Sequence, residues 1–237
     1  MKSVAVIQSN YIPWKGYFDI IRDVDLFIFY DNVQYTKNDW RNRNKIKSPN
    51  GLQWLTIPVQ ASTDMLICDV PLPKNNWASK HYKTLSALYS RAPYFKKYKS
   101  FLEYVYLEKE WTSLSQLNQC LIQYISKELL GIRTEFKDSR DIEVTGKKLD
   151  RLIDLLKKEN ADVYVSGPAA SDYIIDSRFK SEGIELIYKE YSNYPDYEQL
   201  YPPFDHYVSI LDLLFHAGPE SPYYIWGWRE NETKIKS

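Results

Sequence analysis

Cysteine is nearly absent from this chain of 237 residues: Cys68 and Cys120 are the only two, too few for a disulfide framework. Glycine is scarce at 8, and no P-loop, G-x-S-x-G or zincin motif occurs. Neither sign of charge prevails, since 31 Lys and Arg balance 31 Asp and Glu. That balance removes bulk attraction for nucleic acid or an anionic membrane, leaving only local basic patches. No window approaches eighteen apolar residues, which excludes a membrane-spanning helix. The apolar run Val4–Ile7 stops at Gln8, far short of the core of a secretory signal. The three histidines, His81, His206 and His216, show no metal-ligand spacing, so no metal is expected. These absences point to a soluble, cytoplasmic, globular protein with no nucleic-acid partner.

What the chain has in excess is aromatic residues: 21 Tyr, 9 Phe and 7 Trp. Disordered chains are poor in these, so a packed core is expected. Tyr and Trp also offer flat apolar faces with polar tips, suited to stacking on sugars or bases; most of them serve packing.

The run Ser3–Gln8 is short, apolar and β-branched, and reads as a buried strand. Gly16–Arg22 can form a short helix and Asp25–Asp31 a second strand, together a βαβ unit. From Asn32 to Gly51 the chain turns polar, and Gln53–Val59 reads as a strand. Helical spacing dominates Trp77–Leu130, divided at Pro93 and stopped by Gly131. Strands are expected at Arg133–Lys137, Asp162–Ser166 and Ile184–Tyr188, and helices at Thr145–Asn160 and Ser209–Ala217. The expected class is α/β: a Rossmann-like, mostly parallel sheet in one domain over 1–237, with a helical insertion at roughly 75–131.

Open parallel sheets bind ligands beyond the carboxyl ends of their strands. Three expected strand ends are polar: Gln8 to Asn10, Asp31 to Gln34, and Ser166-Gly167-Pro168. Each could be a plain turn; convergence would make them one crevice. The densest polar cluster is Lys37–Ile46. In an extended segment Arg41 and Arg43 would share one face, Asn42 and Asn44 the other. Arginine forks suit phosphate or carboxylate, and Asn amides suit sugar hydroxyls or base edges. The alternative is a solvated charged loop, against which Trp40 within the run and Asp31 before it weigh. His81, at the start of an amphipathic helix, is either a general base or a half-buried helix residue. His216 near Gly218 suits a structural role at a helix end. Cys68 and Cys120 read as core residues rather than nucleophiles.

Gln8–Tyr17 also resembles the strand–loop–helix of adenylate-forming nucleotidyltransferases, whose loop carries His-x-Gly-His. Here those positions are Trp14-Lys15-Gly16-Tyr17, and both histidines are missing, so the ATP chemistry is not carried over.

Gln8-Ser9-Asn10-Tyr11-Ile12-Pro13-Trp14-Lys15-Gly16-Tyr17-Phe18 and Asp31-Asn32-Val33-Gln34-Tyr35 resemble the WbqC-like proteins. So do Trp40–Ile46, Trp77 with Lys80-His81, Ala92–Phe95, Tyr164–Pro168, and Phe204 with Ser209–Phe215. The resemblance runs from about residue 4 to 218. It implies bacterial surface-polysaccharide (O-antigen) biosynthesis and a nucleotide-linked amino sugar as substrate. The most concrete expectation is transfer of an acyl or aminoacyl group, from a donor of that kind, to the sugar nitrogen. Arg41, Arg43 and Lys45 would hold the diphosphate, while Asn42, Asn44 and Gln34 orient sugar or base. His81 or Asp31 would take the ammonium proton. Gln8, Asn10, Tyr11, Trp14, Asn32, Tyr35, Trp40, Ser166, Gly167 and Asp212 complete the expected substrate-binding set. An adenylate-forming enzyme and a non-catalytic nucleotide-sugar-binding protein are the rival expectations.

Overall fold

The computed structural model describes residues 1–168 and 176–229. Five parallel strands form its main sheet: β1 (Ser3–Ile7), β2 (Leu26–Phe29), β5 (Glu135–Asp138), β6 (Val163–Ser166) and β7 (Glu185–Tyr188). Their order is β5-β2-β1-β6-β7. The chain winds outward from β1 through β2 to β5, then returns to the other side of β1 for β6 and β7. This is the doubly wound arrangement of a Rossmann-like α/β fold.

The continuous apolar character of β1 and β2 follows from burial on both faces. Because side chains alternate, Ala5, Phe27 and Phe29 enter one core while Val4, Val6, Leu26 and Ile28 enter another. The first core is closed by α1 (Lys15–Arg22) through Phe18, Ile20 and Ile21. The second is closed by α5 (Lys148–Lys158) through Ile153, Leu155 and Leu156, and by Phe179 of α6 (Asp176–Ser181). Burying each such large apolar side chain contributes about 1.5–3 kcal/mol.

The polar stretch after Asn32 holds a strand that no apolar pattern announces. Arg43–Ser48 is β3, paired antiparallel with β4 (Gly51–Thr56) in a separate two-stranded sheet. Three helices then precede β5: α2 (Trp77–Tyr89), α3 (Phe95–Glu103) and α4 (Leu114–Tyr124), the last continued by a wider turn over Ile125–Leu129. Leu114, Leu117, Leu121 and Ile125 share one buried face, and Gly131 takes the left-handed conformation (φ +69°) that ends the helix. On α2 the buried positions are Trp77, His81, Leu85 and Tyr89, so His81 faces inward. Near the end of the described chain, α7 (Ile210–Ala217) is capped by the Ser209 hydroxyl, which accepts from the Leu211 N–H at 3.3 Å. Among the described residues no helix is long and apolar enough to cross a membrane.

Candidate functional site

Winding reverses between β1 and β6, so the crevice beyond their carboxyl ends is where this architecture receives ligands. The exit of β1 is fixed tightly there. The Ser9 N–H donates to Asp31 Oδ1 at 2.7 Å, and Tyr17 Oη donates to the Gln8 carbonyl at 2.9 Å. The Tyr11 N–H donates to the Trp40 carbonyl at 2.9 Å. Asn44 Nδ2 donates to the carbonyls of Tyr11 (3.1 Å) and Ile12 (2.9 Å). The first crossover loop and the basic segment are thus sewn together.

Arg41 lies where they meet, 9% exposed. Its guanidinium donates to Gln8 Oε1 at 2.9 Å and to Asn10 Oδ1. Its ion pair with Asp39 is loose, at 3.6 Å, and its Nε has no hydrogen-bond partner. Burial raises the Asp39 pKa, but Arg41 and the Thr36 hydroxyl outweigh it and hold that carboxyl below its ordinary value. The Arg41 guanidinium thus has one carboxylate, Asp39, at the edge of ion-pair distance, and gives its hydrogen bonds to the neutral amides of Gln8 and Asn10.

That wall bounds a hollow of about 140 Å³ lined by Asn10, Pro13, Trp14, Trp40, Asn44 and Tyr207. Trp14 packs against Tyr207 (ring centroids 5.3 Å) and edge-on against Tyr191 (5.2 Å). The indole leans over Gly16, where a Cβ would collide with it, so glycine at this position is what lets the ring lie there. Gly167, beyond β6, reaches the cluster through Tyr191, whose hydroxyl would touch a Cβ at 3.8 Å.

Beside this wall, Lys15 is 2% exposed and its amine has no hydrogen-bond partner. The amine sits over the rings of Tyr194 (4.7 Å) and Tyr197 (5.6 Å). Burial lowers its pKa to about 8, against the opposing pull of Asp196 and Asp19.

Several expected site residues lie elsewhere. His81 is 5% exposed and belongs to an interior chain: Tyr11 Oη meets its Nδ1 at 2.8 Å, and its Nε2 lies 3.1 Å from the Thr56 carbonyl. Tyr106 Oη joins Tyr11 Oη at 2.6 Å. Burial drives the His81 pKa down to about 4, so the ring is neutral near pH 7 with both nitrogens occupied. Nothing in this geometry turns His81 toward the hollow as a base. Asp31 is fully buried and spends its oxygens on the Ser9 N–H, the Ser115 hydroxyl and Gln119 Nε2 (3.0 Å). It positions the β1 exit and does not line the hollow.

The rest of the β2 exit turns away. Asn32 exchanges bonds with Ser139, Gln34 bridges Leu66 on the surface, and Tyr35 is buried with its N–H on the Met65 carbonyl at 2.8 Å. Asn42 donates to the Ile57 carbonyl at 2.8 Å, and Asn44, though it lines the hollow, has committed its amide nitrogen to backbone. Arg43 and Lys45 lie on the outer side of the hairpin, over Trp54. Ser166 is buried, its hydroxyl donating to Tyr164 Oη at 3.3 Å. Asp212 is fully buried, accepting from Tyr89 (2.9 Å), Tyr197 (2.8 Å) and Gln199 (2.9 Å). It braces α7 from inside. His216 accepts the Leu200 N–H at Nε2 (3.1 Å) and lies 2.7 Å from the Asp212 carbonyl, a structural tie.

Of the expected residues, the hollow is lined by Asn10, Trp14, Trp40 and Asn44, with Gln8 and Arg41 directly behind. Pro13, Tyr207 and Tyr191 were not among those expected. Pro13 stood in the quoted motif; Tyr207 and Tyr191 carry no local signal, since one Tyr among 21 is unremarkable until the fold selects it. Among the described residues, no cluster of three or more His, Cys, Asp or Glu could hold a metal.

The family model of the WbqC-like protein family matches residues 8–224. The chain belongs to the WbqC-like protein family. A protein of Mycobacterium tuberculosis (strain ATCC 25618 / H37Rv), named "Uncharacterized protein Rv1507c", is 45% identical over 227 residues, which is 95% of this chain and 98% of that protein. No solved structure matches this WbqC-like chain. The match takes in both the β1 exit and the Trp40–Asn44 segment that wall the hollow.

Proposed function

We propose that this WbqC-like chain is a cytoplasmic transferase of bacterial surface-polysaccharide biosynthesis that modifies a nucleotide-linked amino sugar. In the proposed reaction the sugar nitrogen, once deprotonated, attacks the carbonyl of an acyl or aminoacyl donor. The ammonium proton goes to solvent water; the N–C bond then forms, the bond from that carbonyl to the donor's carrier breaks, and the carrier leaves with the electron pair and takes up the second proton released by the nitrogen. The observation that carries the reading is the hollow at the winding reversal, walled by Trp14, Trp40 and Tyr207 and backed by the Arg41 guanidinium. Aromatic walls suit a sugar ring, and a guanidinium behind them suits the oxygens of the ligand that enters the hollow.

The test is incubation of the purified chain with nucleotide-linked amino sugars and acyl or aminoacyl donors, read by the mass of the sugar product. Calorimetric binding of the same sugars to wild type and Arg41→Ala accompanies it. Arg41→Ala is expected to weaken binding by roughly ten- to a hundredfold, the effect of losing a charged hydrogen-bond donor. An unchanged dissociation constant for every nucleotide sugar that binds removes Arg41 from the site. Binding without turnover favours a carrier, and ATP–pyrophosphate exchange favours an adenylate-forming enzyme.

A further inference from the structure

The hollow of about 140 Å³ has room for one ring-sized group, not for a whole nucleotide-linked sugar. The remainder of such a ligand must lie on the surface beside it. One wall of the hollow, Trp40, leads directly onto the β3–β4 hairpin: its ring lies 5.4 Å from that of Trp54. The hairpin has two unlike faces. Asn44, Ile46 and Leu55 are buried against the protein, and the opposite face carries Arg43, Lys45, Leu52 and Trp54.

On that outer face Lys45 stands directly across from Trp54 in the strand register, its amine 5.5 Å from the ring. The Arg43 guanidinium lies 4.3 Å over the same ring; its Nη2 donates to the Asn38 carbonyl, and its Nε has no hydrogen-bond partner. Trp54 is nevertheless 42% exposed and Trp40 40% exposed. Two neighbouring indoles left partly in water, flanked by two cations and continuous with a hollow, are what a planar, multiply anionic ligand would cover.

We propose that this face of the hairpin seats a nucleoside diphosphate. The base stacks on Trp54 beside Trp40, Arg43 and Lys45 hold the phosphates, and the attached sugar enters the hollow behind Trp40. The assignment rests on the nucleotide-linked reading above and extends it to Trp54 and to the side from which the ligand approaches.

The experiment titrates the full chain, by calorimetry and by its own tryptophan fluorescence, with UDP, dTDP, inorganic pyrophosphate, a nucleotide-linked amino sugar and a short oligouridine. Wild type, Trp54→Ala and Trp54→Leu are compared, with circular dichroism to confirm the fold. A nucleoside diphosphate should bind wild type and quench its fluorescence. Both Trp54 variants should bind it about tenfold more weakly while keeping wild-type affinity for pyrophosphate. If a nucleotide sugar binds and both folded variants hold it as tightly as wild type, the platform is overturned and the nucleotide reading stands. If no nucleoside diphosphate and no nucleotide sugar binds wild type, both fall together. If oligouridine binds more tightly than UDP, the face belongs to single-stranded nucleic acid, and the proposal is again overturned.

Discussion

His81 shows how far an imidazole's chemistry depends on what surrounds it. By residue type it is a base poised near neutral pH; packed among Tyr11, Tyr106 and Trp77 it is neutral and committed. Its folded pKa of about 4 lies below the ordinary 6.5, so below pH 6.5 the unfolded chain takes up a proton that the native ring refuses. Stability from this group is complete above pH 6.5 and is lost as pH falls toward 4, by about 3 kcal/mol at the lower end. Urea melts across pH 4–7 should show His81→Gln with a flatter acid slope than wild type, whatever its stability at pH 7. An unchanged slope in the variant would mean that the ring titrates freely. The same scale explains why Asn42 and Asn44 resisted sequence reading. Their amides suit sugar hydroxyls, yet they satisfy carbonyls of Ile57, Tyr11 and Ile12, partners that only the folded chain brings near.

Among the elements, legibility followed apolar pattern. The strands β1, β2 and β6 are short runs buried on both faces, and their sequences say so. In contrast, β3 has one aliphatic side chain, Ile46, within Arg43–Ser48, because its outer face is cationic and its inner face includes Asn44. No period-two signal survives that composition. The start of α1 was legible as a helix and Trp14 as a binding residue, but not the packing that seats its ring: Trp14 precedes the helix in extended conformation and leans over Gly16. Gly16→Ala tests that element. The added methyl can be housed only by moving the indole, so the variant should lose about 1–3 kcal/mol in urea unfolding. Its tryptophan emission should shift, and its affinity for any ligand of the hollow should fall. A variant with wild-type stability and emission would show that the ring does not depend on the glycine.

At the scale of the whole molecule, the βαβ beginning was readable but the strand order was not, because β6 reaches β1 from about 160 residues away. The same distance hid the tie that joins the first helix to the late chain. Asp19 of α1 is fully buried and pairs with Lys189, just after β7, at 3.1 Å. Arg229 grips it with two bonds of 2.5 and 3.1 Å, and Tyr194 Oη donates to it at 2.5 Å. Tyr194 in turn lies against Trp14 and beneath the Lys15 amine, so the charge cluster stands directly behind the wall of the hollow. Asp19→Asn keeps the shape and removes the charge. Lys189, 7% exposed, would then have Asp23 as its remaining carboxylate partner, and breaking a buried pair from one side costs about 3–5 kcal/mol. Replacing Lys189 by Met in the same background removes a buried cation that has lost one of its two carboxylates and should restore part of that loss, because the penalty lies in the weakened charge balance rather than in the missing contact. Urea unfolding of both variants decides it. A single variant as stable as wild type, or a double variant weaker than the single, would mean that the cluster does not hold the two ends of the fold together.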